Sequence, residues 1–292
     1  MGAICGDIIG SCYEAHSTKD YNFTLFADKS RFTDDTVCSI GIADALIHDE
    51  PFDGRLQYWC RKYPKAGYGG RFRSWIHSDV PEPYNSWGNG SAMRVSAVGA
   101  YAGSLVEVLV LARRSAEITH NHPEGIKGAQ ATALAIFMAL RGHSKKDIKS
   151  AIEENFGYDL SRRYDDIRPG YGFDVTCQGS VPESIIAFLE SYDYESAVRK
   201  AVALGGDADT MAAIAGGIAA AFYGEIPLHI LDECISRLPY EMRDVINNFN
   251  KTLISSLLNT SLHLFTSTPD EAKNYHRTDI GHVACDLHSC VM

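Results

Sequence analysis

Apolar residues recur at spacings of three and four in Ala-rich runs, while the alternating Val/Ile/Thr stretches that mark strands are few. This spacing predicts helices over residues 36–48, 125–140, 145–155, 182–191, 194–204, 210–223, 227–237 and 240–258. Several start on Ser, Asp or Pro and close near Gly, the residues that satisfy the unpaired ends of a helix. The predicted fold class is all-α. Three stretches rich in Gly, Pro, Tyr or charge break the pattern: 63–87, 155–179 and everything after Leu264. No Ser/Pro-rich hinge separates two halves, so the first two read as long functional loops on one helical domain, residues 1–264, with a C-terminal tail over 265–292.

Composition narrows the function classes. Across 292 residues, 27 Lys and Arg stand against 37 Asp and Glu, a net charge of −10, so the basic face that a general nucleic-acid or anionic-membrane binder needs is not expected. Hydrophobic residues make up 45% and charged residues 22%, enough to bury a full core. The apolar, uncharged run 211–223 is too short to span a bilayer and reads as a buried helix, so no membrane partner is expected. The start MGAICGDIIG lacks a basic segment and meets Asp7 at once, unlike a secretory signal. Eight scattered cysteines fit reduced thiols, and a cytoplasmic monomer is the expectation.

Two segments share one form: Thr33-Asp34-Asp35-Thr36 and Gly206-Asp207-Ala208-Asp209-Thr210. Each directly precedes a predicted helix, where backbone N–H groups and the helix dipole favour anions. One cap needs one oxygen, and each segment offers at least three. If both helix starts meet, four carboxylates and several hydroxyls crowd one place and repel unless cations neutralise them. An all-oxygen set without His or Cys selects Mg²⁺ or Mn²⁺ over Zn²⁺. The turn Asn85-Ser86-Trp87-Gly88-Asn89-Gly90-Ser91 exposes backbone N–H groups without bulky cover, a nest suited to a diphosphate, although Asn-Gly also makes ordinary turns. His120 lies in a helix-ending segment, Thr119-His120-Asn121-His122-Pro123, where capping is the commoner role and zinc ligation by His120 and His122 lacks partners of suitable spacing.

These motifs, with Gly6-Asp7 to Gly10 and Glu14 ahead of them and Trp87-Gly88-Asn89-Gly90 to Met93-Arg94 between, occur in an order that resembles the ADP-ribosylglycohydrolase family over most of the chain. The resemblance implies an orthogonal all-α bundle around two Mg²⁺ or Mn²⁺ ions. It matches Thr33, Asp34 and Asp35 to ligands of one ion and Asp207, Asp209 and Thr210 to ligands of the other, with Asp209 bridging and Glu14 at the metal edge. It places Asp34, Ser86, Trp87, Gly88, Asn89, Gly90 and His120 against ADP-ribose. The implied reaction cleaves the glycosidic bond at C1″ of ADP-ribose on a protein or small-molecule acceptor, nucleic acid entering only as such a modified substrate. Glu14, Asp35 and Asp207 stand as alternative bases. An ADP-ribose-binding or toxin-blocking immunity protein on the same fold is the alternative, and a phosphate-ester hydrolase a third. Aromatic residues around Tyr171, Gly172 and Phe173 offer a surface for adenine. The tail residues His276, His282, Cys285, His288 and Cys290 lack a standard zinc spacing.

Overall fold

The structure, a computed structural model, describes residues 1–266, with side chains to 255. Among these residues there are fifteen helices: α1 (Gly2–Gly10), α2 (Asp34–His48), α3 (Phe52–Lys62), α4 (Gly70–Ile76), α5 (Gly90–Met93), α6 (Ser96–Tyr101), α7 (Leu105–Glu117), α8 (Pro123–Leu140), α9 (Lys145–Phe156), α10 (Tyr164–Ile167), α11 (Cys177–Leu189), α12 (Tyr194–Ala203), α13 (Ala208–Tyr223), α14 (Leu228–Ser236) and α15 (Tyr240–Thr266). The fold is all-α, and an isolated bridge between Gly88 and Thr176 is the one β feature among the described residues. The chain divides into a unit of residues 1–247 and another of 248–292. Most of the tail 265–292, including its His and Cys residues, lies outside the described residues.

Helix α13 is the axis of the first unit, with α1, α12, α11 and α8 packed around it. Its sequence, ADTMAAIAGGIAAAFY, explains this position, because small residues on every side let neighbours approach closely, and Ala208 to Ala219 are all buried. No described helix is long and apolar enough to cross a membrane.

The periodicity does not predict α1, since its three glycines are poor helix formers. Tertiary packing supplies the reason it is helical. Gly2, Gly6 and Gly10 lie on one face, and a Cβ there would stand 2.4, 2.0 and 2.4 Å from the carbonyl oxygens of Gly216, Ala212 and Ala208. The two backbones touch along the stripe, and only glycine permits it. The segment 63–87 also contains a helix, α4, and 155–179 contains α10 and the start of α11. Helix α11 begins at Cys177, five residues before the Pro182 that marks a start in the sequence, because Thr176 is the true cap and accepts from Gly179 N at 3.1 Å. Pro182 therefore sits inside the helix.

Candidate active site

The two acid-rich segments become the first turns of α2 and α13, and the packing of α1 against α13 brings them together around Asp7. Asp7 projects from α1 to the start of α2, where it accepts hydrogen bonds from Thr33 N at 2.9 Å, Thr33 Oγ1 at 2.6 Å, Thr36 N at 3.1 Å and Thr36 Oγ1. It is fully buried and serves as a second cap for α2 beside Thr33, whose hydroxyl accepts from Asp35 N at 3.3 Å. The sequence motif contains Asp7 but does not by itself place it in the site. Its signal was the Gly-Asp step, in which glycine sets the close helix approach and the acid points to the neighbouring helix.

Two carboxylate trios result, Asp7/Asp35/Asp209 and Glu14/Asp207/Asp209, each with oxygens mutually within 4.8 Å. Asp209 belongs to both. Asp35 and Asp209 are 3% exposed, and Asp35 Oδ1 is buried with no hydrogen-bond partner. Burial, then the neighbouring acids, pushes Asp35 and Asp209 well above the usual carboxylate range. Burial also raises Asp7 and Asp207, and burial followed by Asp207 raises Glu14. A site that resists its own ionisation and leaves an oxygen unpaired fits a hard divalent cation, since such charge is stable only when neutralised. Asp34 lies outside both trios; its Oδ1 is 3.1 Å from the position of a Cβ at Gly67, and burial with Asp7 pushes it up to about 7. The Thr210 hydroxyl faces Asp35 Oδ2 at 3.4 Å.

The Gly-rich turn is fastened to this centre. Asn89 Nδ2 donates to Asp207 Oδ2 at 2.7 Å, and Asn89 is 6% exposed, so its side chain is engaged by the acid cluster. On one side Asn89 N donates to Val175 O at 2.8 Å and Cys177 N to Trp87 O at 2.9 Å, which binds the turn to the start of α11. On the other, His120 Nε2 lies 3.2 Å and 3.6 Å from where Cβ atoms at Gly90 and Gly88 would stand, so glycine keeps the space in front of the imidazole open. Ser86 Oγ accepts from Gly88 N at 3.2 Å. Trp87 is 45% exposed and meets His122 edge to face at 5.5 Å. His122 caps α8, accepting from Glu124 N at 3.1 Å, and neither histidine joins a metal-capable group among the described residues.

Of the aromatic residues read as an adenine surface, Tyr171 packs where a side chain at Gly206 would be, its ring 2.4 Å from that Cβ position, and its hydroxyl donates to Gly179 O at 2.8 Å. Phe173 is exposed. Lys19 ties these segments together: its Nζ donates to Arg168 O at 2.7 Å, Tyr171 O at 2.6 Å and Leu204 O, beneath the left-handed Gly205 at φ 72°.

The family model described as ADP-ribosylglycohydrolase matches residues 1–261. Human ADP-ribosylhydrolase ARH3 is 28% identical over 327 aligned positions, covering 84% of this chain and 89% of that protein. ADP-ribosylarginine hydrolase Tri1 of Pseudomonas putida (strain GB-1) is 26% identical, covering 77% and 69%. A solved structure titled "ADP-ribosylglycohydrolase-related protein complex" superposes with a TM-score of 0.62 at 24% identity, covering 86% of this chain and 96% of that one, which shows the shared fold.

Proposed function

Because this chain belongs to the ADP-ribosylglycohydrolase family, we propose that it is a divalent-cation-dependent hydrolase that releases ADP-ribose from a modified acceptor by cleaving the glycosidic bond at C1″. The observation that carries the proposal is the pair of carboxylate trios sharing Asp209, with the Gly-rich turn anchored to them through Asn89 and Asp207. Asp7, Asp35 and Asp209 would hold one cation and Glu14, Asp207 and Asp209 the other, Mg²⁺ or Mn²⁺ in each case, with the Thr33 and Thr210 hydroxyls and Asp34 at the margin. Bound there, the cations supply positive charge that orients the ribose hydroxyls and lowers the pKa of water.

The chain's own groups divide the remaining work. Asp7 and Thr33 fix the first turn of α2, and with it the direction of Asp35. Asn89 holds Asp207 by one oxygen and at the same time sets the distance from the turn to the carboxylates. The Gly88 and Asn89 N–H groups are engaged by Ser86 Oγ and Val175 O, so the diphosphate falls to His120 and the rest of the turn, and the exposed face of Trp87 packs on a sugar or base. Glu14 is the exposed acid of the cluster, whereas Asp35 and Asp207 are buried. We therefore assign the proton transfer to Glu14: as the bond from C1″ to the acceptor breaks and the water oxygen bonds to C1″, Glu14 accepts the water's proton, and the departing acceptor atom takes up a proton from Glu14 or from solvent, leaving ADP-ribose and the free acceptor. The full set of carboxylates favours hydrolysis over mere retention of ADP-ribose.

The test is a panel of arginine-, serine- and O-acetyl-linked ADP-ribose substrates incubated with protein and Mg²⁺ or Mn²⁺, with and without chelator. Release of ADP-ribose from at least one acceptor, abolished by chelation, is expected. No release from any acceptor, or full release in chelator, overturns the proposal.

A further inference from the structure

Arg94 is among the most deeply buried side chains, 1% exposed, and its guanidinium rests on uncharged partners. Its Nη2 donates to Ser115 O at 2.8 Å and to Thr119 Oγ1 at 2.8 Å, while Nε has no partner. Thr119 is completely buried and owns a single hydroxyl proton. Arginine only donates, so Oγ1 accepts from Arg94 and keeps its proton for one of two acceptors: His120 Nδ1 at 2.7 Å or Ala116 O at 3.5 Å. The shorter contact takes the proton, because a hydroxyl bond at 3.5 Å lies beyond the useful range.

The outcome is decided further by charge. His120 is 6% exposed, and burial with the adjacent Arg94 holds its imidazole well below the usual histidine range, so the ring is neutral. A neutral imidazole that accepts at Nδ1 carries its hydrogen on Nε2. That nitrogen faces the open space of Gly88 and Gly90.

We infer that Arg94 and Thr119 are positioning residues that lock His120 as its neutral Nε2–H tautomer, giving the Gly88–Gly90 turn a fixed hydrogen-bond donor for an anionic oxygen and no basic lone pair. His120 then binds a phosphate oxygen and takes no part in proton transfer at that nitrogen. The ligand in this statement rests on the function proposed above; the tautomer does not.

Two measurements test it. In ¹⁵N-labelled protein, two-bond ¹H–¹⁵N correlation distinguishes the tautomers, with the His120 signals identified by their loss in His120→Gln. Wild type is expected to show an unprotonated Nδ1 and a protonated Nε2 from pH 5.5 to 8 without titration. Thr119→Val, which keeps shape but removes the hydroxyl, is expected to populate the Nδ1–H form, and Thr119→Ser to restore the wild-type pattern. A protonated Nδ1 in wild type overturns the inference without any variant, as does an unchanged pattern in a folded Thr119→Val. In calorimetric titration with ADP-ribose, Thr119→Val is expected to weaken binding about tenfold, the loss of roughly one hydrogen bond, with Thr119→Ser within about twofold of wild type. Unchanged binding despite a shifted tautomer refutes the ligand role. Wild-type protein that ignores ADP-ribose refutes the functional reading alone, and the spectrum still decides the tautomer.

Discussion

Alanine at Gly6 puts the packing of α1 on α13 to a quantitative test. The new Cβ would stand 2.0 Å from Ala212 O, 2.4 Å from Ala212 C and 2.8 Å from Ala213 N, all backbone atoms, whereas real Cβ atoms keep about 3.0 Å. The helices must part by about 1 Å at the contact, because no rotamer change relieves a clash with backbone. Overpacking of this kind costs about 3 kcal/mol at the upper end, and the better helix propensity of alanine returns about 1 kcal/mol. A net loss of about 2 kcal/mol lowers the melting temperature by about 4–8 °C in a unit of this size. Gly54 in α3 is the control, since a Cβ there meets nothing within 4 Å, and Gly54→Ala should raise stability by about 0.5 kcal/mol. The same substitution thus has opposite signs in two helices. Because α1 carries Asp7 and α13 carries Asp209, parting them should also weaken Mg²⁺ binding in Gly6→Ala and leave it unchanged in Gly54→Ala. Scanning calorimetry in chelator and isothermal titration with Mg²⁺ read both effects. If Gly6→Ala melts at or above Gly54→Ala, the backbone contact is not the one described and the argument for α1 fails.

Mg²⁺ should raise the melting temperature of wild type, by mass action about 2.7 kcal/mol at a hundredfold excess over the dissociation constant; Asp209→Asn, with one repelling charge fewer, should melt higher than wild type in chelator yet respond less to Mg²⁺, and equal melting without a Mg²⁺ response in either protein would show that the carboxylates share no site. In chelator, stability should fall as pH rises from about 4, the ordinary carboxylate range, toward the value of about 7 held by Asp34. The sign follows because a raised folded pKa means that the folded state binds more protons in that window, and saturating Mg²⁺ should flatten the slope; a cation-free protein that gains stability over this range contradicts the clustered-acid reading. Trp87→Ala should raise KM for ADP-ribosylated substrate with little change in melting temperature, since the ring is 45% exposed; unfolding of this variant would make Trp87 a core residue instead.

The elements legible in the sequence are those whose signal is local. Helix α13 announces itself in thirteen uncharged residues, α2 and α12 in their caps and apolar spacing, and the two acid-rich helix starts in an excess of oxygen that no cap requires. Three-dimensional proximity decided the rest. Helix α1 has weak local propensity, and its glycines become favourable only when the carbonyls of Ala208, Ala212 and Gly216 lie against them, some two hundred residues away in sequence. Asp7 enters the site for the same reason, since its role depends on which helix faces α1. The Gly-rich turn predicted a nest, but its attachment to the acids through Asn89 and Asp207, across 118 residues, is a property of the packed bundle. Likewise the Thr119-His120 dipeptide and Arg94 are both visible in the sequence motifs, while the contact of the buried Arg94 with Thr119 is known only from the core. Residue types and short spacings specify what a segment can bind or cap; which charges share one low-dielectric pocket is set by long-range packing, and that packing turns two ordinary helix starts into one candidate metal centre.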